Sequence, residues 1–189
     1  MILLVRQGDK YGPEYAQILK RMARETSNLD TLILGDGQDA DIPLAYGWTG
    51  WWAKMEIYRP DLPRPFIYLD LDSVITGDIS DLLLLKGRWI SHEWHPNVKG
   101  CGKYQSSCQV IEENPRDIWE EFTKSPGKWM TQYYGDQKFI ERFTWNIFDI
   151  VGSYEFHDKD FPRHPITTFH GKPKPHQIQD GWVNEIWHV

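Results

Sequence analysis

Apolar residues follow two rhythms along the chain, and the change from one to the other marks out its elements. Residues 2–5, Ile-Leu-Leu-Val, form an unbroken apolar run that predicts a buried strand, and turn formers between Gly8 and Pro13 lead into a helix with proline at its first position. In that helix Ile18, Leu19 and Met22 recur at helical spacing, while Lys20, Arg21 and Arg24 lie largely outside the apolar stripe. A second run at 31–34, Thr-Leu-Ile-Leu, is stopped by Gly35-Asp36-Gly37 and completes a β-α-β unit. Such a unit implies parallel strands, covered faces and a ligand crevice beyond the strands' carboxyl ends.

Trp48, Trp51, Trp52, Met55 and Ile57 stand at mostly helical spacing, and Arg59-Pro60 follows, so a helix is predicted over 48–58. Pro63 and Pro65 then precede a third strand at 66–69, Phe-Ile-Tyr-Leu, which runs directly into Asp70-Leu71-Asp72. Gly77-Asp78 breaks the chain, and Asp78 suits the cap of a short helix through 82–85. The second half is less regular. Strands are predicted near 88–90, 108–111, 147–151 and 166–169, and helices at 115–122 and 136–143. With no internal repeat, low-complexity tract or linker, the pattern predicts one α/β domain over 1–189 with a mixed, mainly parallel central sheet.

Charge removes some function classes. The chain has 21 basic against 27 acidic residues, a net charge of −6, so no cationic excess exists to hold a nucleic acid backbone. The apolar opening ends at Arg6, short of the roughly 7–15 residues of a signal-peptide core, and no later run approaches the ~18 of a membrane span. A cytoplasmic protein is therefore expected. Cys101 and Cys108 make no disulfide framework, which agrees with a reducing compartment. Ten Trp, nine Tyr and eight Phe are unusual for this length, and most such rings are expected in the core rather than stacked on sugars or bases.

Asp70 and Asp72 are the strongest chemical signal. In an extended segment they project to one side, roughly 7 Å apart along the chain, while Leu71 turns into the core. Two carboxylates at a strand's carboxyl end suit one hard cation, Mn²⁺ or Mg²⁺, which keeps positions open for substrate phosphates. His92, His95, Cys101 and Cys108 are zinc-competent residue types, but their spacing lacks a close Cys-x-x-Cys pair. The segment 91–100 reads as plain surface or an acceptor-side loop. No Gly-rich phosphate loop, Rossmann fingerprint or catalytic triad is present.

The run from Phe66 through Asp70 and Asp72 to Asp78, Asp81 and Leu82 resembles the Asp-x-Asp region of the glycogenin-like glycosyltransferases, GT-A enzymes of family eight. Trp52 to Tyr58, Gly135-Asp136-Gln137, and Phe169-His170-Gly171-Lys172-Pro173-Lys174-Pro175 resemble three further segments of that family, in the right order. The resemblance implies a GT-A, Rossmann-like nucleotide-binding domain that transfers a sugar from a nucleotide-sugar donor, UDP-linked by family habit, with retention of anomeric configuration. It implies Asp70, Asp72 and His170 as ligands of Mn²⁺ or Mg²⁺, although the family's metal-binding His commonly stands three residues before the Gly, where this chain has Thr168. Lys54 would reach the donor's phosphates or sugar, Asp136 and Gln137 would act on the transferred sugar, and Gly171, Lys172 and Lys174 on the diphosphate. Arg6, Gln7 and Tyr11 would meet the nucleoside, and Ser106 falls in a Gln-Ser-Ser stretch where the family has Asn-Ser-Gly. The acceptor, whether glycan, protein or small molecule, is left open.

Two other readings use the same residues. Asp70-Leu71-Asp72-Ser73-Val74 also fits the nucleophile strand of haloacid dehalogenase-type phosphatases, with Asp70 attacking phosphorus and Asp72 as acid/base, but that motif normally lies in the first strand. A nucleotide-sugar-binding module without turnover is the third.

Overall fold

The computed structural model describes residues 1–93 and 102–188. The chain opens with strand β1 (Ile2–Arg6), helix α1 (Pro13–Ser27) and strand β2 (Thr31–Gly35), parallel to β1. Pro13 starts α1, and Tyr15, Ala16, Leu19, Met22 and Ala23 form its buried face. The helix stops where Asn28 adopts the left-handed conformation, φ 53°, and its N–H turns back to the carbonyl of Arg24. A two-residue strand, β3 (Ile42–Pro43), extends the edge beside β2.

The tryptophan-rich segment is a 3-10 helix, Gly50–Tyr58. A 3-10 helix has three residues per turn, so side chains at i and i+3 lie in line. Trp52, Met55 and Tyr58 fall on one such line and are buried together, which explains why an apolar spacing of three gave this helix and not the α-helix expected from the sequence.

Strand β4 (Phe66–Leu69) and strand β5 (Ser73–Ile75) follow, then a short 3-10 helix, Ser80–Leu84. Next come β6 (Arg88–His92), β7 (Tyr104–Ile111), and helices α2 (Arg116–Lys124), α3 (Pro126–Gln132) and α4 (Asp136–Ile140). Strands β8 (Asn146–Phe148), β9 (Val151–Ser153) and β10 (Ile166–Thr168) and helix α5 (Gly181–Trp187) complete the order. The single strand expected over 147–151 is in fact two strands in different sheets, and the helix expected over 136–143 ends at Ile140.

The central sheet has the order β3-β2-β1-β4-β7-β6-β8. Its pairings are parallel except for β4 with β7 and β7 with β6, so the sheet is mixed and mainly parallel, as expected. A second sheet, β5-β10-β9, lies beside it. Strand alternation divides the core. Ile2, Leu4, Ile67 and Leu69 face α1 and α5, whereas Leu3, Phe66 and Tyr68 face the 3-10 helix with α2 and α4. Among the described residues no helix is long and apolar enough to cross a membrane.

Strand β1 lies between β2 and β4, so the chain leaves β1 toward one side and later returns to the other. That reversal is a topological switch point, and the crevice it opens lies beyond the carboxyl ends of β1 and β4. Gln7 follows the first strand there and Asp70 the second.

Candidate active site

Tyr68 and Asp70 are two residues apart on β4 and its extension, so they share the face turned to the 3-10 helix. The Tyr68 hydroxyl donates to Asp70 Oδ1 at 2.5 Å, and the Asp70 backbone N–H donates to the carbonyl of Ser107 at 2.8 Å. Lys54 arrives from the 3-10 helix and is 9 % exposed. Its Nζ lies 3.2 Å from Asp70 Oδ1, 3.2 Å from Asp136 Oδ2 and 3.0 Å from Ser106 Oγ. An ammonium has three protons to donate, and these three oxygens match them.

Burial alone would lower the Lys54 pKa, but the adjacent carboxylates of Asp136 and Asp70 outweigh it and hold the lysine protonated, above its ordinary range. Asp136 is pushed up by burial, against the pull of Lys54. The cluster therefore has one fixed positive charge between two carboxylates.

Ser106 reaches this cluster because β7 bulges. The register passes from Ile90 opposite Gln109 to Ser91 opposite Gln105, so residues 106–108 have no opposite number on β6, while Cys108 stays paired with Leu69 on β4. The Ser106 N–H donates to Gln137 Oε1 at 3.2 Å, and Gln137 Nε2 donates to Glu93 Oε2 at 3.1 Å. Gln137 is thus fixed at both ends of its amide, next to Asp136.

After Asp70 the chain turns, with the Ser73 N–H bonded to the Asp70 carbonyl at 3.1 Å. This differs from the extended segment expected. Leu71 enters the core as anticipated, but the turn gives Asp72 its own partners. Asp72 Oδ2 accepts from the Tyr11 hydroxyl at 2.7 Å and pairs with Lys174, whose Nζ also donates to the Phe169 carbonyl at 2.6 Å. Burial and the Asp72 charge together push the Tyr11 phenol far above the usual tyrosine range. Gly171, at φ 73°, makes the turn that brings Lys174 back to Asp72. Each carboxylate of the Asp-x-Asp pair therefore faces a different lysine.

The remaining expected site residues are placed less directly. His170 Nε2 lies 2.6 Å from Ser153 Oγ, and its ring stacks on Phe156 at 5.3 Å. Thr168 is buried and donates to Ser107 Oγ at 3.3 Å. Among the described residues no group of three His, Cys, Asp or Glu converges on one point, so Asp70, Asp72 and His170 do not form a three-residue shell here. Lys172 is exposed and lines a cleft of about 200 Å³ with Tyr154, Glu155, Lys159 and His170. Arg6 pairs with Asp39, and the Gln7 amide holds the Trp48 carbonyl at 2.6 Å and the Gly50 N–H at 2.9 Å. Both are engaged at the crevice wall by these contacts.

Of the zinc-competent residues, Cys108 is buried in the core with its thiol pushed up by burial, and His95 and Cys101 lie outside the described residues. Most of the segment 91–100 lies outside them too. Tyr68, Ser107 and Glu93 are site neighbours that the sequence reading missed. The i, i+2 spacing of Tyr68 and Asp70 was the available signal for the first.

The pair of carboxylates fits a divalent cation of the Mn²⁺ or Mg²⁺ type, which is commonly held by one or two carboxylates together with substrate phosphates. Both are aspartates at a strand end with lysines alongside, a donor set of hard oxygens and no thiolate.

The mixed seven-stranded central sheet has the GT-A fold of glycosyltransferases. Solved structures of such enzymes share it. The glycosyltransferase GlyE of Streptococcus pneumoniae TIGR4 matches with a TM-score of 0.71 at 17 % identity, over 99 % of this chain and 60 % of that one. LgtC, a galactosyltransferase solved with donor and acceptor sugar analogues, matches at 0.67 and 13 % identity, over 99 % and 95 % of the two chains. A glycosyltransferase involved in glycosylation of the PBCV-1 major capsid matches at 0.63 and 11 %, over all of both chains. The chain thus spans about three fifths of the GlyE chain, and at these identities the likeness establishes the fold. No protein-family model matches the sequence, and no curated protein matches it in sequence.

Proposed function

We propose that the chain is a metal-dependent glycosyltransferase that takes a sugar from a nucleoside-diphosphate donor, UDP-linked by resemblance, and transfers it with retention. The observation that carries this reading is the convergence of Lys54, Asp70, Asp136 and Ser106, beside Asp72 and Lys174, at the switch point of a GT-A sheet. The sugar-to-phosphate bond breaks with its electron pair leaving on the diphosphate. The acceptor oxygen bonds the anomeric carbon on the same face, and its proton goes to the departing phosphate.

Asp70 and Asp72 would hold Mn²⁺ or Mg²⁺, and that ion, when bound, supplies positive charge to neutralise the leaving diphosphate. Lys174, with Lys172 and the Gly171 turn, binds the diphosphate, because lysine is a compact point charge suited to phosphate oxygens. Asp136 accepts hydrogen bonds from hydroxyls of the transferred sugar, and Gln137 lies against the reacting face. Lys54 holds Asp70 and Asp136 in place through its ion pairs with both. Tyr11 borders the nucleoside end, where Arg6 and Gln7 support the wall. His170 is kept as the proposed third ligand, a role that requires it to exchange Ser153 for the cation.

The fold speaks against the phosphatase alternative, since the solved structures named above that share it are glycosyltransferases. A binder without turnover is separated by assay. Incubation with UDP- and GDP-sugars is expected to release nucleoside diphosphate in Mn²⁺ and not in EDTA; binding without release would leave a module, and phosphate release from phosphomonoesters would revive the phosphatase.

Lys174→Ala is expected to weaken nucleoside diphosphate binding by about tenfold or more while leaving the monophosphate within about twofold, as for loss of one charge-assisted contact to the second phosphate. His170→Ala should weaken Mn²⁺ binding, read by calorimetry. Unchanged Mn²⁺ affinity would assign the protein's share of the cation to the two aspartates alone.

A further inference from the structure

About half of the described aromatic residues are buried and most of the rest are half-buried, short of the mainly core placement expected from the sequence, and two that flank the Lys54–Asp136 pair are exposed. Trp51 is 48 % exposed and Tyr134 is 85 % exposed, and their ring centroids are 5.2 Å apart at 47°. The adjacent Trp52 is 7 % exposed. Large aromatic side chains placed side by side in water forgo the burial that normally stabilises them, and such patches mark binding sites.

Backbone geometry ties both rings to the site. Trp51 precedes Lys54 by one turn of the 3-10 helix, so the two side chains leave the helix in line. Tyr134 and Asp136 flank Gly135, whose backbone is extended at φ −175° and ψ 175°, so they project to the same side. The Trp51 ring also packs on Gly135 itself. A Cβ there would sit 3.6 Å from the indole, so the indole closes directly over the backbone that delivers Asp136. The rings therefore form a lip at the Lys54–Asp136 end of the site, whereas Asp72, Tyr11 and Lys174 stand at the other.

We propose that Trp51 and Tyr134 form the acceptor platform, and that the acceptor is a carbohydrate whose pyranose ring lies against them. This rests on the transferase reading and names the substrate class of that site. The C–H face of a pyranose is apolar and weakly positive, which matches an aromatic face, and its rim of hydroxyls lies within the reach of the polar groups around Asp136. The diphosphate lysine is at the opposite end, so the platform is left for the group that receives the sugar. Trp51 and Tyr134 touch the acceptor and select it.

The test uses lactose, maltose and cellobiose as probes, read by saturation-transfer NMR and by their stimulation of nucleoside diphosphate release. At least one saccharide is expected to bind and stimulate. Trp51→Ala and Tyr134→Ala should each raise its KM by about tenfold, with nucleoside diphosphate affinity moved by less than about twofold, and Trp51→Phe and Tyr134→Phe should restore most of the loss. Tyr134 is almost wholly exposed, so its alanine variant keeps the fold and reads the platform even if Trp51→Ala does not. Three results would overturn the proposal: no saccharide binds, the alanine variants bind it as the parent does, or they lose the nucleotide instead, which would make the rings a base-stacking site. Saccharide binding that depends on Trp51 without any nucleoside diphosphate release would keep the platform and sink the transferase reading.

Discussion

Lys54→Met is expected to cost the protein about 3–5 kcal/mol of stability, because it removes the cation from a buried cluster and leaves Asp70 and Asp136 facing each other without compensation. Urea unfolding measures it. The same change should lower nucleoside diphosphate release by at least about a hundredfold, as Asp136 would then be protonated or displaced and the sugar hydroxyls would lose their acceptor. Pairing it with Asp136→Asn separates the two effects. The double variant carries one buried charge fewer and should recover much of the stability, yet it should recover none of the turnover. If Lys54→Met alone is as stable as the parent, the ammonium does not hold the cluster, and the picture of a fixed charge between two carboxylates is wrong.

Asp70→Asn and Asp72→Asn form the second large expected effect. Each keeps the side-chain shape and removes one negative charge from the pair assigned to the cation. Calorimetry with UDP or GDP in Mn²⁺ should show binding weakened by at least about a hundredfold, the scale on which a ligand carboxylate supports a hard ion, with no difference from the parent in EDTA. Stability should respond unequally. Asp70→Asn leaves Lys54 its bridge to Asp136, and Asp72→Asn leaves Lys174 its bond to the Phe169 carbonyl, so neither should unfold the protein. Equal nucleotide affinity for parent and both variants in Mn²⁺ would remove the metal assignment.

How much of this was legible beforehand depends on how far along the chain each signal extends. Strands β1, β2 and β4 were readable because runs of three or more consecutive apolar residues, closed by turn or charged residues, are satisfied only between covered faces. Strands β3, β5 and β9 have two or three residues each, too few to express a period, and they exist because neighbouring strands supply their partners. Helix α3 carries Trp129 as its buried residue, and α5 is held by Val183 and Trp187, so neither offers a stripe to read.

The site divides in the same way. Asp70, Asp72, Lys54 and Asp136 were identified from local patterns and resemblance, and the fold brings Lys54, Asp70 and Asp136 together. The partners that occupy Arg6 and Gln7 are Asp39 and the Trp48–Gly50 backbone, which no local pattern connects to the first strand. The turn after Asp70 is closed by contacts from β10, with the Phe169 N–H on the Asp72 carbonyl, so it too was set from far along the chain. Trp51 and Trp52 differ by one position and have opposite fates. Trp51 lies in the opening turn of the 3-10 helix, and every residue after it, from Trp52 to Tyr58, is buried, so position along the helix rather than its period separates the two.

The central claim is that a divalent cation and a nucleoside diphosphate meet at the carboxyl end of β4. Crystals grown with Mn²⁺ and UDP or GDP test it through the anomalous scattering of manganese. The account predicts one strong peak in contact with Asp70 and Asp72, with the diphosphate between that peak and Lys174. A nucleotide bound in the crevice with no manganese peak at the two aspartates, or a peak held by other residues, would contradict it.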